Sequence, residues 1–297
     1  MGRKAGSSVL VLLDARSRTV ARAESVKSKI PGRNCSVEAI ARKAYSVDWP
    51  VNCKKSSMNI QRIVPPAAAS TEWRDLGSGL LTLLTGRSTI EGLEEEIRSY
   101  FGVRHVFMVS SGKAALALTL LALSDLSKRR RVIIPAYTCY SVPSAVLKAG
   151  LDLSLCDVDP VTLDYDYGQM RQVLDADTLC ILSCHLFGIP SDVERAKEMA
   201  GRAGAFLVED AAQAMGGASK GHKLGTNGDV GFFSLGRGKN VTCGSGGIIV
   251  TNSDRIAEAI QRRYTHLGAP AWRRVLREWL MLVLMTIFTQ PRLYWFP

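Results

Sequence analysis

The chain has 297 residues, 46% of them apolar, with 38 Lys/Arg against 27 Asp/Glu and a formal charge of +11. That is enough for one large domain or two modest ones around a substantial core. The charge does not argue for nucleic acid: residues 1–62 hold 13 basic and 4 acidic residues, residues 63–297 hold 25 and 23, and no zinc-finger spacing or RNA-binding signature accompanies the basic segment.

In chain order, residues 1–57 are rich in Arg, Ser and Lys with weak periodicity, and read as a disordered extension. Two origins stay open for it: a transit-peptide-like leader, or a mis-annotated start ahead of Met58. "VLVLL" (Val9–Leu13) is too short for a secretory signal, and "MGRKAG" lacks the Ser or Thr of a myristoylation motif. The seven cysteines are odd in number and without paired spacing, which fits reduced thiols in a cytoplasmic protein. The four histidines show no ligand spacing, so no metal site is expected.

From Ser88 the pattern turns regular. "STIEGLEEEIRSYFG" is a predicted helix with a capping box (Ser88, Glu91), apolar residues at helical spacing and a stop at Gly102. "HVFMV" is a short strand, "GKAALALTLLAL" a helix, "RVIIP" a strand and "SVPSAVLKAG" a helix ended by Gly150. "LSLCDVD" and "TLCILSC" are strands. "SDVERAKEMAGRAG" is a helix with a second capping box, Ser191 with Glu194, and "AFLVED", "VGFFSL" and "GGIIVTN" are strands. Continuous apolar strands alternating with helices predict an α/β fold with a mainly parallel central sheet flanked by helices. The apolar run Trp279–Thr289 is too short to span a bilayer and reads as a helix that packs on a further domain or a partner subunit.

Ligands of such sheets bind beyond the carboxyl ends of the strands, which selects four loops. "SSGKAAL" (Ser110–Leu116) opens a helix at a glycine, a turn whose free amides and dipole suit a phosphate. It is no P-loop, because Phe107 stands where the Walker pattern needs glycine and Ala114 follows Lys113. "PAYTCYS" places Tyr137 and Tyr140 at the same edge, to stack on a planar ligand or on the core. In "VEDAAQAMGG", Asp210 ends a strand and either caps a helix or meets a protonated ring nitrogen. "SLGRGKNVT" sets Lys239 among glycines, five residues after Ser234. Lysine is a nucleophile once deprotonated and the usual former of Schiff bases. His185, at a strand's carboxyl end, reads as a structural loop residue. A nicotinamide enzyme is disfavoured, since no GxGxxG follows the first strand.

Phosphate turn, aromatic loop, Asp, Ser and Lys, in that order, suit a pyridoxal 5′-phosphate (PLP) enzyme. The stretch "VEDAAQAMGGASKGHKLGTNGDVGFFSLGRGKNVTCGSGGIIVTN", with "VIIPAYTCYSVPSAVLKAG", "CDVDPVTLDYD" and "HLFGIPSDV", resembles the DegT/StrS-type sugar aminotransferases from about Ile90 to Asn252. The resemblance implies the large domain of a fold-type I PLP-dependent aminotransferase over residues 58–265. It implies a homodimer with active sites at the interface, and residues 266–297 as the start of a truncated C-terminal region, the small domain being largely missing. It implies transamination of a keto sugar, nucleotide-linked in most of the family, from glutamate or glutamine, in surface-polysaccharide or secondary-metabolite sugar biosynthesis. Lys239 then forms the Schiff base and shuttles the proton, Asp210 keeps the pyridine nitrogen protonated, and Gln213 stands beside the ring oxygen. Ser234 and the amides of Gly112 and Lys113 match the phosphate cradle. Family dehydratases replace the lysine with histidine, so Lys239 favours transamination. Departures are Lys113 for the usual threonine, Cys139 for the stacking aromatic (with Tyr137 or Tyr140 as substitutes) and Ser245 for glutamate. A truncated, inactive homologue acting as a binding or regulatory subunit is the alternative.

Overall fold

A computed structural model of the protein describes residues 72–85, 90–268 and 271–290; the expectations for residues 1–57 and for Ser88 lie outside the described residues. Helices α1 (Trp73–Thr85) and α2 (Ile90–Phe101) lead into β1 (His105–Val109), α3 (Gly112–Leu126), β2 (Arg131–Pro135), α4 (Ser141–Lys148), β3 (Asp152–Cys156), α5 (Tyr167–Val173) and β4 (Thr178–Cys184). After a 3-10 turn at Leu186–Gly188 follow α6 (Val193–Ala203), β5 (Phe206–Asp210) and a small hairpin, β6 (Ala218–Ser219) and β7 (His222–Lys223). Then come β8 (Val230–Ser234), β9 (Gly247–Thr251), α7 (Asp254–Tyr264) and α8 (Trp272–Phe288).

Seven strands form one sheet in the order β1-β9-β8-β5-β4-β2-β3. The pairings β2–β3, β2–β4, β4–β5 and β5–β8 are parallel, whereas β9 runs antiparallel to both β1 and β8. The carboxyl ends of β1, β2, β4, β5 and β8 therefore share one edge, and β9 starts there and runs back.

Strand periodicity divides the core. Val132 and Ile134 of β2, Cys180 and Leu182 of β4 and Val208 of β5 point to one face, where α3, α4 and α7 supply Leu116, Leu120, Val146 and Ile260. The alternate residues Ile133, Ile181 and Leu207 face Met170 of α5 and Ala196 and Met199 of α6. Farther along that second face, Phe233 and Ile248 pack on Ile97 and Phe101 of α2. Strands buried on both sides need unbroken apolar runs.

Helix ends follow local chemistry. The Ser111 side chain accepts from Ala114 N at 3.1 Å and starts α3; Ser253 does the same for α7 through Ile256 N at 3.3 Å. Gly204 ends α6 in the left-handed conformation (φ 62), open to glycine without a Cβ penalty. One expectation is corrected: α6 is capped by Asp192, which accepts from Arg195 N at 3.3 Å. Ser191 is diverted to Ser183 and His185.

α8 packs on α1, where Trp279 Nε1 donates to Leu76 O at 3.0 Å, and none of its residues is fully buried. Leu282 reaches the glycine loop after β8, closing on Gly244. Among the described residues no helix is long and apolar enough to cross a membrane.

Phe233 is fully buried with its ring stacked on Phe101 at 4.6 Å between centroids. Phe233→Ala is expected to lower the unfolding free energy by about 3–5 kcal/mol in urea titrations. Phe233→Leu keeps most of the volume and should cost markedly less.

Candidate active site

The carboxyl edge of the sheet opens into a cleft of about 260 Å³ lined from five loops, with Gly112, Lys113, Cys139, Asp210, Gln213, Ser234 and Lys239 all in its wall. Seven of the eight sequence candidates thus converge. Tyr137 does not line the cleft, and its neighbour Tyr140 does. Tyr137 instead pairs with Phe187 outside the lining, ring centroids 6.5 Å apart. A larger hollow, between α2 and α7 and lined by Glu94, Arg98 and Asp254, lies away from these loops and gathers none of the candidates.

The floor of the cleft rests on close backbone approach. A Cβ on Gly112 would fall 2.7 Å from Cβ of Ser234, so only glycine lets the first turn of α3 lie against that serine. Gly247 likewise leaves room for the Ser111 carbonyl. The amino end of a 15-residue helix, whose first amides have no intrahelical partner, thereby faces the Ser234 hydroxyl. The Lys113 ammonium lies 5.5 Å from the Tyr140 ring centroid, so its charge stays at the same wall.

Lys239 comes from the loop after β8. That loop turns through Gly238 (φ 78) and is pinned by Lys239 N donating to Gly236 O at 3.2 Å and Thr242 Oγ1 donating to Leu235 O at 3.0 Å. Asn240 Nδ2 donates to Met215 O at 2.5 Å, and Arg237 pairs with Glu278 of α8 at 3.0 Å. The lysine is partly exposed and its charge acts on both Asp210 and Cys184.

Asp210 is buried at the end of β5, and its Oδ1 accepts from Ala212 N at 3.0 Å. Burial pushes its carboxyl above the ordinary carboxylate range, against the Ala212 amide and the charge of Lys239, which favour the ionised form. Among the described residues no cation lies within ion-pair distance of it. Gln213 turns its Oε1 outward to accept from Phe187 N at 2.6 Å.

The residues beneath were not assigned by sequence. Glu209, wholly buried, points to the opposite face from Asp210, and its Oε2 accepts from His185 Nε2 and Gly225 N, both at 3.0 Å. Its Oε1 accepts from Asn227 N at 2.5 Å and from Gly228 N. Nδ1 of His185 accepts from Ser191 N at 3.2 Å, so the ring proton sits on Nε2. His185, read from the sequence as a structural loop residue, is a buried strut that also lines the cleft. The available signal was the pair Glu209-Asp210 at a strand end, where period-two alternation sends two acids to opposite faces.

The DegT/DnrJ/EryC1/StrS aminotransferase family model matches residues 76–280, most of the described structure. The chain belongs to this family. A GDP-perosamine synthase of Caulobacter vibrioides is 34% identical over 172 residues, covering 58% of this chain and 46% of that protein. The sugar aminotransferase CalS13 from Micromonospora echinospora is 28% identical with a TM-score of 0.63, over 68% of this chain and 57% of that one. An E. coli GDP-4-keto-6-deoxy-D-mannose-3-dehydratase with bound hydrated PLP is 26% identical with a TM-score of 0.60, over 67% and 54% of the two chains. The fold of the family's large domain is thus present, and the chain spans about half the length of these relatives.

Because the folded state raises the Asp210 pKa, the native chain binds that proton more tightly than the unfolded chain, for which 3.8 is the ordinary value. Stability from this group is present at low pH and is lost as pH rises above 3.8 through the raised native value. Asp210→Asn keeps an acceptor for Ala212 N and cannot ionise. It should raise the urea midpoint of cofactor-free protein at pH 7 and flatten that pH dependence; an unchanged or lowered midpoint would contradict the burial argument.

Proposed function

We propose that the protein is a PLP-dependent aminotransferase that moves an amino group from glutamate or glutamine to a keto carbon of a nucleotide-linked sugar. The observation that carries this reading is the meeting, in one cleft, of a lysine amine and a buried carboxyl with no ion-pair partner among the described residues. The residues fit the cofactor. Asp210 offers an acceptor to a pyridinium N–H and the Gly112–Lys113 amides with Ser234 Oγ offer donors to a phosphate, where a Cβ on Gly112 would close the cradle. Bound there, the cofactor supplies an electrophilic carbonyl and an electron-withdrawing ring.

The chain's own groups then have separate tasks. The Lys239 Nζ is the nucleophile and carries a proton to and from the reacting carbon. The Asp210 carboxylate holds the proton on the ring nitrogen. A pyridinium held there would add a positive charge beside the carboxyl and favour the ionised form that burial disfavours. Gln213, with Oε1 committed to Phe187 N, presents its amide N–H donors to an oxygen of the ligand. Lys113, in place of a hydroxyl residue, adds positive charge to the phosphate wall.

The substrate class rests on the sugar-nucleotide enzymes among the relatives, and GDP-perosamine, the compound in their name, is the probe of choice. Surface-polysaccharide or secondary-metabolite sugar synthesis is the matching setting, with a homodimer in the cytoplasm as the working form. An inactive binding subunit finds no support in the site, since both lysine and aspartate are in place.

Borohydride reduction of PLP-treated protein should fix the cofactor to Lys239, seen as a modified peptide by mass spectrometry, and glutamate should bleach its visible absorbance. Trapping that persists unchanged in Lys239→Ala would overturn the assignment. Cys139 lines the cleft where the resemblance implies a stacking aromatic. Cys139→Phe is accordingly expected to slow cofactor loss on dialysis by about three- to tenfold, the worth of one ring stack.

A further inference from the structure

Three non-glycine residues among those described have positive φ: Leu163, Phe187 and Lys220. Lys220 with Gly221 forms the tight turn of the β6–β7 hairpin, a connection that calls for this conformation. Leu163 closes a local turn by donating its N–H to Asp159 O at 2.8 Å. Phe187, at φ 55 and ψ 18, occupies the third position of a turn closed by Gly188 N and His185 O at 3.1 Å. Glycine or asparagine is the ordinary occupant there, and a bulky ring is an outlier.

The strain does not serve the core, because Phe187 is 63% exposed. Gln213, a cleft residue, holds the turn through the 2.6 Å bond from Phe187 N. The ring meets Tyr137, itself 57% exposed, at 6.5 Å and an interplanar angle of 50°. Each ring adjoins residues that line the cleft: Tyr137 precedes Thr138, and Phe187 follows Leu186. Backbone strain of this kind clusters at active sites and ligand clamps.

We propose that Phe187 and Tyr137 form an apolar V at the cleft mouth that grips the pyranose ring of the sugar substrate through its C–H face; this rests on the aminotransferase reading above. The sugar is favoured over the nucleobase because the sugar carries the reacting carbon. That carbon must reach Lys239, which lines the same cleft as Thr138 and Leu186, the chain neighbours of the two rings. The base and its phosphates lie farther out along the ligand.

The test uses the full chain loaded with PLP, with GDP-perosamine and GDP as calorimetric probes. Phe187→Gly should weaken GDP-perosamine by about five- to tenfold and GDP by less than about twofold. Its urea midpoint should hold or rise, since glycine accepts the left-handed backbone. Tyr137→Ala should act in the same direction, Phe187→Tyr should restore affinity, and borohydride trapping on Lys239 should be unchanged in all. Equal losses for both probes would assign the rings to the base and overturn the proposal. A lowered midpoint in Phe187→Gly, or dissociation of an oligomer by it, would overturn it in favour of a structural or subunit role. Absence of GDP-perosamine binding by the unsubstituted chain with trapping intact sinks the sugar contact and spares the aminotransferase reading. Absence of trapping sinks both.

Discussion

One buried carboxylate sets the geometry of this edge of the sheet. Glu209 has no exposure, and an ion of that kind is tolerated inside a protein only if its lone pairs are met by donors. Four nitrogens do so: His185 Nε2 and the amides of Gly225, Asn227 and Gly228. The carboxylate thereby ties the end of β5 to the loop before β8 and to the turn after β4. Loss of any one donor would leave part of a buried charge unmet, so the network holds these three segments to one another. The crossing is close: Gly225 (φ 89) lies over Gly231, where any Cβ would strike the Gly225 carbonyl. Glycine at 231 is therefore the condition under which the 225–228 loop reaches the carboxylate at all.

Asp210 inherits its position from this arrangement. Adjacent strand residues face opposite sides, so fixing Glu209 below fixes Asp210 above, at the wall opposite the Lys239 loop. His185 is the second strut: its backbone N–H donates to Asp210 O at 3.0 Å while its ring holds Glu209 and Ser191. The reactive groups of the cleft are thus held by neighbours whose own partners are all specified. Side chains held in this way keep one position relative to each other.

Much of this was legible from residues alone, for physical reasons. Every strand named from an apolar run is present, because the central strands are buried on both faces and the edge strands on one, and Gly102 and Gly150 adopt positive φ as helix stops. Strand direction was not legible: β9 has the same apolar run as the parallel strands of the sheet, so its reversal appears only in the pairing. The cap of α6 was misread because Ser191 and Asp192 are both good caps, and the buried His185 ring claims the serine. Tyr137 and Tyr140 could not be told apart, since in a loop no periodicity says which of two exposed rings lines the cleft. Helix α1 went unread because Gly77 and Gly79 interrupt its pattern; at Gly79 the reason is tertiary, as a Cβ there would press on Trp279 at 3.3 Å.

The site also shows where stability has been surrendered. A carboxyl pushed above its ordinary range by burial and a phenylalanine held in a glycine conformation are each unfavourable in the isolated chain. Asp210 lies in the wall of the cleft and Phe187 follows the lining residue Leu186, and the strand that carries Asp210 is among the best buried in the protein. Costs of this size are sustained only if the surrounding structure over-determines them. Here the Glu209 network fixes the first, and the Gln213 amide, bonded to Phe187 N, fixes the second. A ligand that brings a positive charge to Asp210 offsets the cost of ionising a buried carboxyl. Such a ligand stabilises the folded state by the same interactions that orient it, which ties occupancy of this cleft to the integrity of the β5 edge.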